Sequence, residues 1–227
     1  MKKIKGAIFD LDGTIIDSMP MWYSLYGNYM KEALIEPTQE LLDFLRHASI
    51  PMAAQRFSET VIKRSADKIS AELYSHVADY YKNAATLRPN VDILIKKLYE
   101  NGIKLCVATA TESGHAKNAL IHTKLIEYFD DVISCKDLGI EKNKPDVYFA
   151  AMERIGVNQD EVIVFEDALH AVETAKSSGF YVIAIHEQTV QDMFPVHRHR
   201  GVRGHLMFQS LIEEPSSVVV SLPRHGW

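Results

Sequence analysis

The chain has only two cysteines, no apolar run near the roughly 20 residues of a bilayer-spanning helix, and no excess of basic charge. Each absence excludes something. Two thiols do not make a disulfide scaffold. Cys106 and Cys135 both sit in apolar context, where buried thiols are expected rather than a bridge. Without a long apolar run there is no candidate helical membrane span. A net charge of −5 argues against a nucleic-acid surface and offers no general attraction for anions, so any phosphate site must be built locally. No internal repeat is visible. Met1-Lys2-Lys3 leads into a strand-like run rather than a cleavable leader, and a cytoplasmic location is expected. An apolar fraction of 47% over 227 residues suits a soluble chain holding one large domain, or a domain with a small insert.

The strongest positive signal is the run Lys5-Gly6-Ala7-Ile8-Phe9-Asp10-Leu11-Asp12-Gly13-Thr14. Ala7, Ile8, Phe9 and Leu11 read as a buried strand and Gly13 as the turn that ends it. A parallel strand presents its C-terminal edge to the crevice where α/β folds bind ligands. Asp10 and Asp12 at such an edge make a poor core and a good cation site, with oxygen ligands that suit Mg²⁺.

Further strands are expected at Ile103–Ala108, Asp131–Ile133, Val162–Phe165 and Tyr181–Ile185. Helical patterns separate them at Val91–Asn101, Ser113–Thr123, Pro145–Ile155 and Ala168–Ser178. Gly102, Gly156 and Gly179 follow three of these helices, where a terminating glycine is favoured. Alternation of this kind implies right-handed crossovers and an α/β, doubly wound parallel sheet. The stretch from 17 to 86 breaks the rhythm with helical patterns only, at Met21–Ala33, Thr38–His47, Ala53–Phe57 and Ser58–Ala84. It reads as a helical insertion directly after the first strand, where it would cover the sheet's C-terminal edge as a lid. The expected domains are therefore a core of residues 1–16 and 87–227 and a cap of residues 17–86. Trp22, Tyr23, Tyr26 and Tyr29 in the first cap helix are read as mainly packing residues, with substrate contact as the alternative. Toward the C-terminus, His197–His205 is basic and histidine-rich, read as a solvated loop ahead of a metal or anion site; Ser216–Leu222 reads as an added strand or an extension.

Three more strand ends carry chemistry. Thr109 closes Cys106-Val107-Ala108 and is followed by Ala110-Thr111 and a helix start. A hydroxyl with neighbouring backbone N–H groups in that position can bind phosphate. Lys142-Asn143-Lys144-Pro145-Asp146-Val147-Tyr148 opens another helix with lysines, which oppose the helix dipole unless an anion lies between. Val162–Phe165 ends in a second acid pair, Glu166-Asp167.

An acid pair, a hydroxyl, a lysine and an acid pair, in that order, resemble the four motifs of the haloacid dehalogenase superfamily over roughly Lys3–Gln188. The helical insert resembles the cap of its β-phosphoglucomutase-like subfamily. Two departures stand out: Asn143 replaces a proline of the lysine motif, and Ala168-Leu169-His170-Ala171 replaces the usual Ser-x-x-Gly. The resemblance implies a Rossmann-like core and an Mg²⁺-dependent phosphatase that works through an aspartyl-phosphate. It implies Asp10 as nucleophile and Asp12 as acid/base. Thr109, Ala110 and Lys142 would bind phosphate, with Lys144 the alternative lysine, and Asp10, Asp12, Glu166 and Asp167 would hold the metal. Dehalogenases of the superfamily need neither the second aspartate nor Mg²⁺, so Asp12 and the acid pair point away from that chemistry. A sugar phosphomutase is the alternative reading, but the cap runs Leu45–Pro51 and Gln55-Arg56-Phe57 lack a Gly-x-x-Arg-like signature. A non-catalytic phosphate-binding module is the third. The partner implied is a small phosphorylated metabolite, with no nucleic acid and no membrane.

Overall fold

The computed structural model describes residues 3–46, 48–60, 64–140 and 142–185. The segments His197–His205 and Ser216–Leu222 lie outside the described residues. The chain divides into two compact units, one of Ser18–Ala84 and one of the chain up to Asp17 and from Ala85 onward. These bounds differ slightly from the expected 1–16, 17–86 and 87–227, because the two connections zip together. The Asp17 N–H donates to the Thr86 carbonyl at 2.8 Å and Ile16 pairs antiparallel with Leu87.

The larger unit is a five-stranded parallel sheet of β1 (Gly6–Phe9), β2 (Lys104–Thr109), β3 (Asp131–Ser134), β4 (Val162–Glu166) and β5 (Tyr181–Ala184), in the order β3-β2-β1-β4-β5. The strands are apolar on both faces because both are covered. On one face Ile8, Cys106 and Val164 pack with Val147, Tyr148, Ala151 and Ile155. On alternate positions Phe9 stacks on Phe165 at 4.3 Å between centroids. Gly6 admits the close approach of Ile155 and Val157, which a Cβ would meet at 3.0 and 2.9 Å. Cys106 and Cys135 are free, buried thiols.

Helices connect the strands much as expected. In the smaller unit they are α1 (Met19–Glu32), α2 (Gln39–Leu45), α3 (Ile50–Thr60) and α4 (Ala66–Asp79). In the larger unit they are α5 (Val91–Glu100), α6 (Ser113–His122), α7 (Cys135–Leu138), α8 (Asp146–Ile155) and α9 (Leu169–Ser177). Two differences have local causes. The single helix expected over Ser58–Ala84 is interrupted: Ser65 is extended at ψ 146°, and the Ser58 hydroxyl donates to the Arg64 carbonyl at 2.8 Å. The one-turn α7 is too short for hydrophobic periodicity; it is started by the Ser134 hydroxyl accepting from the Lys136 N–H and ended by Gly139 at φ 66°.

In the smaller unit Ile69, Leu73, Val77 and Tyr81 are buried at four-residue intervals. That spacing drifts around a regular helix of ~3.6 residues per turn, and the wider π-helical turn at Tyr80–Ala84 compensates. Tyr26 and Tyr29 are packing residues: both contact the Phe57 ring, and their hydroxyls donate to the Ala48 carbonyl and Glu72.

The start of β4 is fixed by Glu161. Its carboxylate accepts from Lys5 at 2.6 Å and from the Asn158 side chain at 2.8 Å, and these bonds hold it down at about 2, below its ordinary 4.5. A depressed carboxyl stabilises the fold above its unfolded value, and the contribution is lost as pH falls through the folded one. Glu161→Gln is therefore expected to melt below wild type at pH 7, with the gap closing between pH 4.5 and about 2. Parallel thermal melts over that window test this; a gap that persists at pH 2 contradicts it.

Candidate active site

The chain leaves β1 for β2 and β3 on one side, then returns to lay β4 and β5 on the other. The sheet's topological switch point thus lies at β1, where α/β folds open a crevice beyond the strand ends. The expected site residues sit at this edge: Asp10 and Asp12 follow β1, Thr109 ends β2, Glu166 ends β4 with Asp167 next, and Lys142 precedes α8.

Asp10 is fixed by its backbone, whose N–H donates to the Phe165 carbonyl at 2.9 Å, and its carboxylate meets the Lys142 ammonium. The same ammonium lies 2.5 Å from Glu166 Oε1. All three side chains are at least nine-tenths buried. Burial pushes the Asp10 carboxyl well above its ordinary range against the pull of Lys142, and Glu166, Asp167 and Asp12 push it further up. Burial alone would weaken Lys142's hold on its proton; Asp10 and Glu166 more than offset this and raise its proton affinity. Lys142, not the exposed Lys144, therefore occupies the site.

Asp167 is half-buried and held from two sides. The Thr14 hydroxyl donates to its Oδ1 at 3.3 Å. Its Oδ2 fills the space where a Cβ on Gly13 would be, and Gly13 is at φ 80°. Gly13 is thus required both for the turn and for the carboxylate. Burial, then Glu166, raises the Asp167 carboxyl. One oxygen each of Asp10, Glu166 and Asp167 lie within 4.8 Å of one another. Three carboxylates face one lysine, and burial first, then their mutual repulsion, raises the proton affinities of Asp10 and Asp167. A hard, oxygen-seeking divalent cation fits this donor set.

Glu166, expected among the metal ligands, lies in this cluster and also makes contacts of its own. Its Oε1 already meets Lys142 and accepts from the Tyr148 hydroxyl at 3.0 Å. Its Oε2 accepts from the N–H groups of Asp167 and Ala168 at 3.0 and 3.3 Å. Both carboxylate oxygens of Glu166 are thus held in place. The Glu166 bond to the Ala168 N–H lies just ahead of the first turn of α9. Helix α9 forms with no side-chain cap from Ala168, and Ala171 is fully buried.

The Thr109 hydroxyl is buried and accepts from the Thr111 N–H at 3.0 Å, with Ala110 exposed between them. The Thr111 hydroxyl donates to Asp12 Oδ2 at 2.6 Å. Sequence reasoning gave no role to Thr111, Tyr148 or Thr14. The repeated hydroxyl of Thr-Ala-Thr was a usable signal for Thr111; nothing in the sequence signalled the other two contacts.

The sequence profile of the haloacid dehalogenase-like hydrolases matches residues 7–185 of the chain. A phosphorylated carbohydrates phosphatase of Thermotoga maritima is 25% identical over 180 residues, covering 78% of this chain and 82% of that protein. A fructose-1-phosphate phosphatase of Escherichia coli is 26% identical over 193 residues, covering 81% and 97%. Among solved structures, a β-phosphoglucomutase of Clostridium difficile superposes with a TM-score of 0.61 at 17% identity over 93% of this chain and 98% of that one, a likeness of fold.

Proposed function

The chain belongs to the haloacid dehalogenase-like hydrolase family, and from that premise and the site's geometry we propose that it is an Mg²⁺-dependent phosphatase in which Asp10 is the nucleophile. The observation that carries this reading is the buried Asp10 carboxylate at the mouth of β1, set between the Lys142 ammonium and the Asp167 carboxylate. The names of its relatives support a phosphorylated carbohydrate or similar small phosphate ester as substrate.

Asp10 and Asp167, with the main-chain carbonyl of Asp12, would hold the cation. When bound, it offsets the repulsion between an anionic nucleophile and an anionic phosphate. Asp10 attacks phosphorus, the bond to the leaving oxygen breaks, and an aspartyl-phosphate forms. Asp12 gives a proton to the leaving oxygen, then takes one from the water that hydrolyses the aspartyl-phosphate and frees Asp10. Lys142, already against Asp10, stabilises charge on the phosphoryl oxygens. The Thr109 hydroxyl accepts from Thr111 and can turn its own proton to the same oxygens; the Ala110 backbone lies beside it. Glu166 positions Lys142 and, beside Asp10 and Asp167, would reach the metal through water. A mutase is not favoured by any observation in the smaller unit, and the intact acids speak against a non-catalytic module. Among the described residues no helix is long and apolar enough to cross a membrane.

The test is hydrolysis of p-nitrophenyl phosphate with Mg²⁺ and in excess EDTA, followed by a panel of sugar and polyol phosphates. Full activity in EDTA contradicts the metal requirement. Asp167→Ala is expected to weaken Mg²⁺ binding by about tenfold or more, Glu166→Gln by less, since only the first removes a ligand oxygen. Isothermal titration with Mg²⁺ measures both, and an equal or reversed order contradicts the division of roles.

A further inference from the structure

We propose that Thr111 is a positioning residue for the proton transfer: its hydroxyl holds the Asp12 carboxyl in the orientation from which the leaving oxygen is protonated. This rests on the acid/base reading of Asp12.

Three observations converge on it. The Thr111 hydroxyl donates to Asp12 Oδ2 at 2.6 Å, a short contact of the kind made to charged acceptors. The two residues are 99 apart in sequence, so only the neighbouring placement of β1 and β2 brings them together. The Thr111 backbone is itself fixed, because its N–H donates to Thr109 Oγ1 at 3.0 Å. One turn at the end of β2 thus orients a phosphate-facing hydroxyl and the acid/base together. An aspartate side chain has two rotatable bonds, and a proton donor must lie within hydrogen-bond reach of its target. A misplacement of about 1 Å can cost up to roughly 10²-fold in rate, so a fixed hydroxyl at one carboxyl oxygen is a direct way to secure that reach.

The experiment compares kcat/KM for p-nitrophenyl phosphate, whose leaving phenolate needs little protonation, with that for phenyl phosphate, whose leaving group needs much more. The ratio is taken on one enzyme preparation, so any fraction that fails to fold cancels. Thr111→Val keeps the shape and removes the hydroxyl. It is expected to lower kcat/KM for phenyl phosphate by about 10- to 100-fold and for p-nitrophenyl phosphate by less than about threefold. Thr111→Ser restores the donor and is expected to keep the wild-type ratio. Asp12→Asn calibrates the acid's own contribution and should shift the ratio at least as far. A Val variant with an unchanged ratio, beside a shifted Asp12→Asn, overturns the role of Thr111 and leaves the acid/base reading standing. An unchanged ratio in Asp12→Asn overturns both. A Ser variant as skewed as Val overturns the hydroxyl as the cause.

Discussion

Asp10→Asn is expected to lose roughly four powers of ten or more in turnover, the scale seen when a covalent nucleophile is removed, while the fold is kept. An amide of the same shape cannot attack phosphorus and form the acyl phosphate. The same change should not harm stability, and the reason lies in the site's electrostatics. Burial first, then Glu166, Asp167 and Asp12, lift the Asp10 carboxyl well above its ordinary value, and Lys142 opposes them only in part. In the metal-free protein the folded state therefore holds that proton more tightly than the unfolded chain does. Stability then falls as pH rises from the ordinary value of 3.8 through the raised one. Ionised Asp10 is a cost to the apo fold at neutral pH, and asparagine removes it while Lys142 keeps Glu166 as its partner. Metal-free Asp10→Asn should melt at or above wild type at pH 7 and show a shallower fall with rising pH. Residual activity above about one per cent would sink the nucleophile assignment; a variant that melts far below wild type would sink the electrostatic account.

Lys142→Met is expected to cost both activity and stability. Its ammonium is shared by Asp10 and Glu166, with side-chain exposures of 9%, 8% and 0%. Removing one partner of a buried ion pair leaves uncompensated charge and typically costs about 3–5 kcal/mol. Denaturant unfolding in EDTA should show a loss of that order, and saturating Mg²⁺ should recover part of it, because a cation among the same carboxylates offsets the same excess charge. Turnover should fall about 10²- to 10³-fold, the scale for losing a charge-stabilising donor in a dry site. Lys144→Met, at an exposed position two residues on, is the control and should stay near wild type in both assays. Equal effects of the two substitutions would remove Lys142 from the site.

Much of this protein was settled by local sequence. Strands between two covered faces must be apolar throughout, and runs such as Val162–Phe165 announced themselves for that reason. Asp10, Asp12, Glu166 and Asp167 were legible because carboxylates that end an apolar strand have no place in a core. Glycine after a helix, and Thr109 at a strand end, follow from equally local physics. Other features depended on contacts between residues far apart in the chain. Lys142 or Lys144 could not be decided from their spacing, since the choice turns on which ammonium reaches Asp10, 132 residues away. Glu166 was legible as an acid at a strand end, but its contacts with Tyr148, Lys142 and two backbone N–H groups were not. Thr111 was one more hydroxyl until β1 and β2 paired and set it against Asp12. The sequence by itself determined which chemistry the strand ends could carry, because strand burial and residue type are local properties. Only the tertiary structure decided which of these groups meet, because that depends on the few ångströms between side chains on different strands.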